Sequence, residues 1–158
     1  MMMTILQKIP IDNKYLYRNV REHLLEKTKT MMEGTCSKEN GYIIEVKEIE
    51  EIIDNIIAPA TSTVFFTVKY RANILKPVIG EVVKGKICMI FQYGIFVDIM
   101  NIMKILIPAT SMDNFEYNNN EYDDNKGNVL SKGKEVSIKI ISFKYEDKQF
   151  SCIGDIIL

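Results

Sequence analysis

The chain has 158 residues, 26% of them charged, with a formal net charge of −1. That length admits one domain or two small ones. The balanced charge excludes the global basic field of a protein that grips duplex nucleic acid unaided. The 47% hydrophobic content is enough for a core, yet no run approaches the ~18 apolar residues of a membrane span. The opening MMMTILQKIPI has no basic leader followed by a long apolar stretch, so a signal peptide is not expected. Cys36, Cys88 and Cys152 are far apart, no C-x-x-C occurs, and His23 is the single histidine. A zinc site is therefore not expected, and the thiols read as small buried hydrophobes.

In chain order, Ile5, Leu6, Ile9 and Ile11 predict a short first strand over residues 4–10. Asp12 or Asn13 then caps a helix over residues 15–32, with Leu16, Val20, Leu24 and Thr28 on one face, widened by Tyr17, Leu25, Met31 and Met32. His23 lies beside this stripe without a partner for catalysis. Residues 33–37 predict a strand, Asn40-Gly41 a hairpin turn, and residues 42–46 the returning strand. Ile49, Ile52, Ile53, Ile56 and Ile57 have the spacing of a helical turn, whereas β-branched side chains favour a strand. From Phe66 through Val68, Tyr70 and Ala72 to Ile74 every second residue is apolar, with Thr67, Lys69, Arg71 and Asn73 between them. This is a half-buried strand with one wet face. Pro77 and Gly80 mark a hinge to a second domain.

The second half predicts strands over residues 80–91, 95–99, 104–107, 135–143 and 149–158. Gly85 is a bulge or close-approach point, Gln92-Tyr93-Gly94 a turn, and residues 145–148 a second turn. Residues 112–131, MDNFEYNNNEYDDNKGNVLS, read as an exposed, mobile insertion. The first half is thus a small α+β sheet with a packed helix, and the second an all-β five-stranded Greek-key barrel of the OB type.

No phosphate loop, nucleophile elbow, paired histidines or clustered strand-end carboxylates occur. Asp98 stands alone in an apolar strand, as a rim residue. A binding role is the better class. OB barrels hold single strands on an outer face, using aromatics for stacking and cations for phosphates. The candidates for RNA contact are Lys86, Tyr93, Phe96, Lys104, Lys144 and Lys148. Half of the aromatics in regular strands face inward, so one of Phe91 and Phe96 is expected in the core.

EGTC (33–36), GYIIEV (41–46) and VKYRANILKPVIGEVVKG (68–85), in that order and spacing, resemble the stalk subunit of multisubunit RNA polymerases. That family comprises subunit seven of RNA polymerase II and its archaeal E-prime counterpart. YGIFVDI (93–99) and the closing KIISFKYEDKQFSCIGDI are similar to its barrel, which is like the RNA-binding domain of ribosomal protein S-one. The resemblance implies a truncated RNP-like docking domain over residues 1–78 and an OB-fold RNA-binding domain over 79–158. It resolves residues 49–57 as strand and loop. It implies a non-catalytic subunit without cofactor, docked on the polymerase core near the clamp by the tip Ala58, Pro59, Ala60, Thr61 and Ser62. The implied partners are a subunit-four-like protein and nascent single-stranded RNA near the exit path. The family's glycine at that tip is absent here, and so is the histidine common after the third barrel strand in RNA-binding relatives. Localisation follows the polymerase: the nucleus, or host cytoplasm or virion if the AT-rich residue usage reflects a large DNA virus. The alternative is a free-standing OB-fold RNA-binding protein of translation or RNA turnover.

Overall fold

A computed structural model describes residues 1–16, 18–58 and 60–157. It divides into two compact units, Met1–Lys76 and Pro77–Leu158.

In the first unit the strands are β1 (Met2–Asp12), β2 (Cys36–Ser37), β3 (Gly41–Ile57) and β4 (Thr63–Leu75), in the sheet order β1-β4-β3-β2. β4 realises the alternation: Val64, Phe66, Val68, Tyr70, Ala72 and Ile74 are all buried. Ile5, Ile9 and Ile11 of β1 join them, and helix α1 (Val20–Met32) closes the core with Leu24 and Thr28. The buried Thr28 hydroxyl donates to the Leu24 carbonyl at 2.7 Å, the back-bonding that lets a threonine sit inside a helix.

The helix begins later than expected. Asp12 caps only a short 3₁₀ turn, Asn13–Tyr15, by accepting from the Lys14 N–H at 3.1 Å. Asn19 is left-handed at φ 51°, so the helix cannot run through it, and propagation starts at Val20. Tyr17, assigned to the helix stripe, lies outside the described residues. The strand expected over residues 33–37 is confined to Cys36–Ser37.

The isoleucine-rich segment is not helical. It belongs to β3, a 17-residue strand with register shifts after Ile43, Val46, Ile49 and Ile52. Each shift places two β3 residues against one of β4, which is a β-bulge. From Ile43↔Ile74 to Ile52↔Val68, β3 advances three residues for every two of β4. Its inward residues Ile43, Val46 and Ile49 are therefore spaced by three. Bulges leave backbone groups without ladder partners, and α1 and the segment after it supply them. The Arg21 guanidinium donates to the carbonyls of Ile49 and Glu50. Glu33 Oε2 accepts from the Val46 N–H at 2.8 Å. Gly34 N–H donates to Ile43 O and Ile43 N–H to Thr35 O, both at 2.9 Å.

The second unit is a closed barrel in the order β11-β12-β7-β6-β5. Its strands are β5 (Val82–Phe91), β6 (Gly94–Ile99), β7 (Met103–Pro108), β11 (Glu135–Glu146) and β12 (Gln149–Ile157). All neighbours are antiparallel except β12 and β7. This is the five-stranded OB-type barrel expected. Gly85 is a close-approach point and not a bulge. A Cβ there would lie 2.5 Å from the Asp98 carbonyl and from the Ile99 side chain, and the bulge of β5 falls between Ile87 and Met89.

Residues 112–131 are not a loose excursion. They form a three-stranded sheet of β8 (Glu116–Asn118), β9 (Glu121–Asp123) and β10 (Val129–Leu130). Met112, Tyr122 and Leu130 are buried. The polar composition hid these three anchors, which are spaced too widely to show a period.

Arg21→Ala should lower stability by about 1 kcal/mol, because bulge carbonyls lose their donor, as read by chemical denaturation. Among the described residues the buried Tyr70 hydroxyl has no hydrogen-bond partner, so Tyr70→Phe should raise stability by about 1 kcal/mol. Burial pushes this phenol up from 10 to about 12. The unfolded chain therefore releases the proton while the folded one retains it, and wild-type stability falls as pH rises through this window. A denaturation series across that range should show the decline reduced in Tyr70→Phe.

Candidate nucleic-acid interface

The β5–β6 hairpin turns on two residues, Gln92 and Tyr93, with Phe91 opposite Gly94 and Met89 opposite Phe96. Residues opposite one another share a face, and so do residues two apart. Phe91 and Phe96 are thus on the same outer face, contrary to the expectation that one would be core. The turn register, and not the parity of the residue numbers, decides the side. Phe91 stacks on Tyr93 with centroids 5.1 Å apart and planes 3° from parallel. Phe96 meets both rings edge-on, at 6.1 and 6.4 Å. Offset and edge-to-face contacts of this kind hold aromatic rings in fixed orientations. Tyr93 remains 60% exposed and Phe91 37%, so the cluster presents a ring surface to solvent.

The barrel register extends this face. One row runs Lys86↔Asp98↔Lys104↔Ser151↔Lys144, and the next runs Met89↔Phe96↔Leu106↔Ile153↔Ser142. A charged row thus lies beside an apolar one. The rows border an open groove of about 580 Å³, lined by Phe96, Asp98, Lys104, Leu106, Lys144 and Ile153 among others. Lys86 lies at one side, in a shallower depression with Lys84 and Glu135 that shares Asp98 and Asn101. Lys144 pairs with Glu146 at 3.2 Å, both well exposed. Such a pair is weak, so an anion can take its place.

Of the six candidates, Lys86, Phe96, Lys104 and Lys144 share this face, and Tyr93 crowns its aromatic corner. Lys148 does not line the groove. It sits in the β11–β12 turn with Asp147, both at positive φ. Sequence reasoning missed Leu106 and Ile153, which meet through the parallel pairing of β7 and β12, strands far apart in the chain. It also missed Tyr122, whose hydroxyl reaches the carbonyls of Phe91 at 2.6 Å and Gln92 at 3.0 Å. The Asn-rich segment is therefore fastened to the backbone of the aromatic turn. Burial, with a smaller contribution from Tyr117, raises the Tyr122 pKa and keeps the donor protonated.

In the first unit, Ala58, Ala60, Thr61 and Ser62 form the β3–β4 connection, beside the exposed Ile56 and Ile57. Pro59 lies outside the described residues. Lys69 pairs with Glu51 at 3.8 Å, and Arg71 pairs with Glu48 at 3.2 Å and Glu50 at 3.5 Å. The wet face of β4 is thus neutralised by its own neighbour. Cys88 and Cys152 are free thiols. Burial pushes Cys152 up to about 11, which leaves it protonated and inert.

Tyr122→Phe should leave the barrel folded but loosen the segment over residues 112–131, at a cost of about 1 kcal/mol. Hydrogen exchange should show faster amide exchange there and in the β5–β6 turn.

Residues 76–153 match the S1 RNA binding domain family. Over nearly its whole length the chain is similar to DNA-directed RNA polymerase II subunit RPB7 of Glycine max, with 30% identity over 154 residues that cover 95% of this chain and 88% of the relative. The Saccharomyces cerevisiae RPB7 is 28% identical, with 94% and 90% covered. The Schizosaccharomyces pombe rpb7 is 29% identical, with 92% and 88% covered. With matches that run through both units and a relative at this level of identity, the chain belongs to the RPB7 family of RNA polymerase subunits.

Proposed function

We propose that the chain is a stalk subunit that binds nascent single-stranded RNA on the outer face of its barrel. Family membership makes it a non-catalytic subunit of a DNA-directed RNA polymerase. The observation that carries the RNA reading is the juxtaposition of a stacking surface, Phe91–Tyr93–Phe96, with the row containing Lys86, Lys104 and Lys144. Stacking a base on an exposed aromatic contributes about 1–3 kcal/mol without demanding a particular base. Lys86, Lys104 and Lys144 lie on alternate strands of the row, two strand spacings apart, and offer phosphates separate footholds. With a net charge of −1 the attraction is local to this face, so binding weakens steeply with salt.

The first unit docks on the polymerase core through residues 58–62, near the clamp, and pairs with a subunit-four-like protein. The exposed Ile56 and Ile57 beside that connection supply apolar area for such a contact. The expected site of action is the nucleus, as for RNA polymerase II.

Affinity capture of the tagged chain from its native source should recover the large polymerase subunits. Recovery of ribosomes, or of nothing, would return the reading to a free-standing RNA-binding barrel. The double variant Lys86→Ala, Tyr93→Ala should lose about tenfold or more in RNA affinity and lower the salt slope by about 1, while still co-purifying with the polymerase. Loss of co-purification instead would mean that the docking and RNA faces are interchanged.

A further inference from the structure

Asp98 is the one carboxylate among the described residues lining the groove. It stands directly between Lys86 and Lys104 in the barrel register. Among the described residues it makes an ion pair with neither. Its orientation is set by a tight turn. Asn101, at φ 60°, donates its N–H to Asp98 Oδ2 at 3.0 Å, and the Ile102 N–H closes the turn on the Ile99 carbonyl at 3.0 Å. Oδ1 is left without a protein donor among the described residues. Phe96 lies two residues back on the same strand and face, about 7 Å away, within reach of the edge of a base stacked on its ring.

We propose that Asp98 reads the base on this face and makes it prefer guanine, an inference that rests on the RNA-binding reading above. A fixed carboxylate repels phosphate, so the backbone cannot occupy the centre of the lysine row. It must pass over Lys86 or Lys104, each one strand spacing away, ~4.8 Å. What the carboxylate accepts is N–H donors, and unstacked single-stranded bases present their Watson–Crick edges freely. Guanine offers two adjacent donors on that edge, N1–H and the N2 amino group, one for each carboxylate oxygen. Adenine and cytosine offer one amino group and uracil one imino N–H. The aromatic corner binds any base, and Asp98 adds the discrimination that stacking lacks.

The test is fluorescence anisotropy of the full chain with an oligouridine and with the same oligonucleotide carrying one central guanosine, adenosine or cytidine. The guanosine form should bind about tenfold tighter than the others. Asp98→Asn keeps an oxygen for the Asn101 N–H, and so the turn, but has one acceptor and one donor where guanine needs two acceptors. It should abolish most of the preference and bind oligouridine at least as well as the wild type. Equal wild-type affinity for all four oligonucleotides overturns the inference and leaves the RNA-binding reading standing. So does a guanine preference that survives in Asp98→Asn. Failure of the wild type to bind any of them overturns both. If the variant melts early, the four-base comparison on the wild type still decides.

Discussion

From Ile43 to Ile52 β3 advances nine residues while β4 advances six, and the first unit depends on that mismatch. A strand lengthened in this way coils more tightly than its neighbour and leaves backbone donors and acceptors off the ladder. A backbone group buried without a partner costs about as much as a lost hydrogen bond, so something must approach the edge of β3. Arg21 and Glu33, near either end of α1, reach it with side chains, and Gly34 and Thr35 with backbone. The helix therefore fills two needs at once. Its Leu24 covers the sheet's apolar face, and its termini supply the partners that the irregular strand lacks.

This arrangement explains which parts of the first unit were legible. β4 pairs on both sides with its inward positions two apart, so its residues read directly as a half-buried strand. β3 carries apolar residues three apart because of its bulges, and three is closer to a helical period than to two. Isoleucine at nearly every one of those positions was the contrary signal, since β-branching costs side-chain freedom in a helix. Resemblance to a known family, more than periodicity, resolved that segment as extended. The late start of α1 turned on a single left-handed residue, Asn19, which no apolar pattern reports.

In the barrel the strands were readable one by one, but their order around the barrel was not. The groove is built where β7 and β12 run parallel, and the residues that meet there are more than forty apart, as in Lys104↔Ser151. Local patterns carry no information about such pairs. Lys104 and Lys144 were found because cations near hairpins are conspicuous, while Leu106 and Ile153 resemble ordinary strand residues. Phe91 and Phe96 were misjudged for a related reason. Along one strand, parity assigns the face, but across a hairpin the loop length resets it. The Asn-rich segment failed differently. Its composition is that of a disordered tract, yet one buried tyrosine with two carbonyl partners holds it to the barrel.

The ion pairs of the first unit bear on how far the molecule's charge reaches. Lys69 and Arg71 lie within 3.8 Å of Glu51, Glu48 and Glu50. Opposite charges that close cancel within a distance shorter than the ~8–10 Å over which salt screens a field in the cell. A polyanion at long range is therefore neither drawn to nor repelled by that surface. The barrel's lysines are spread along a row, and Lys104 makes no ion pair among the described residues. On the proposal that this face binds RNA, the guidance it gives an approaching strand is a short-range field of those lysines.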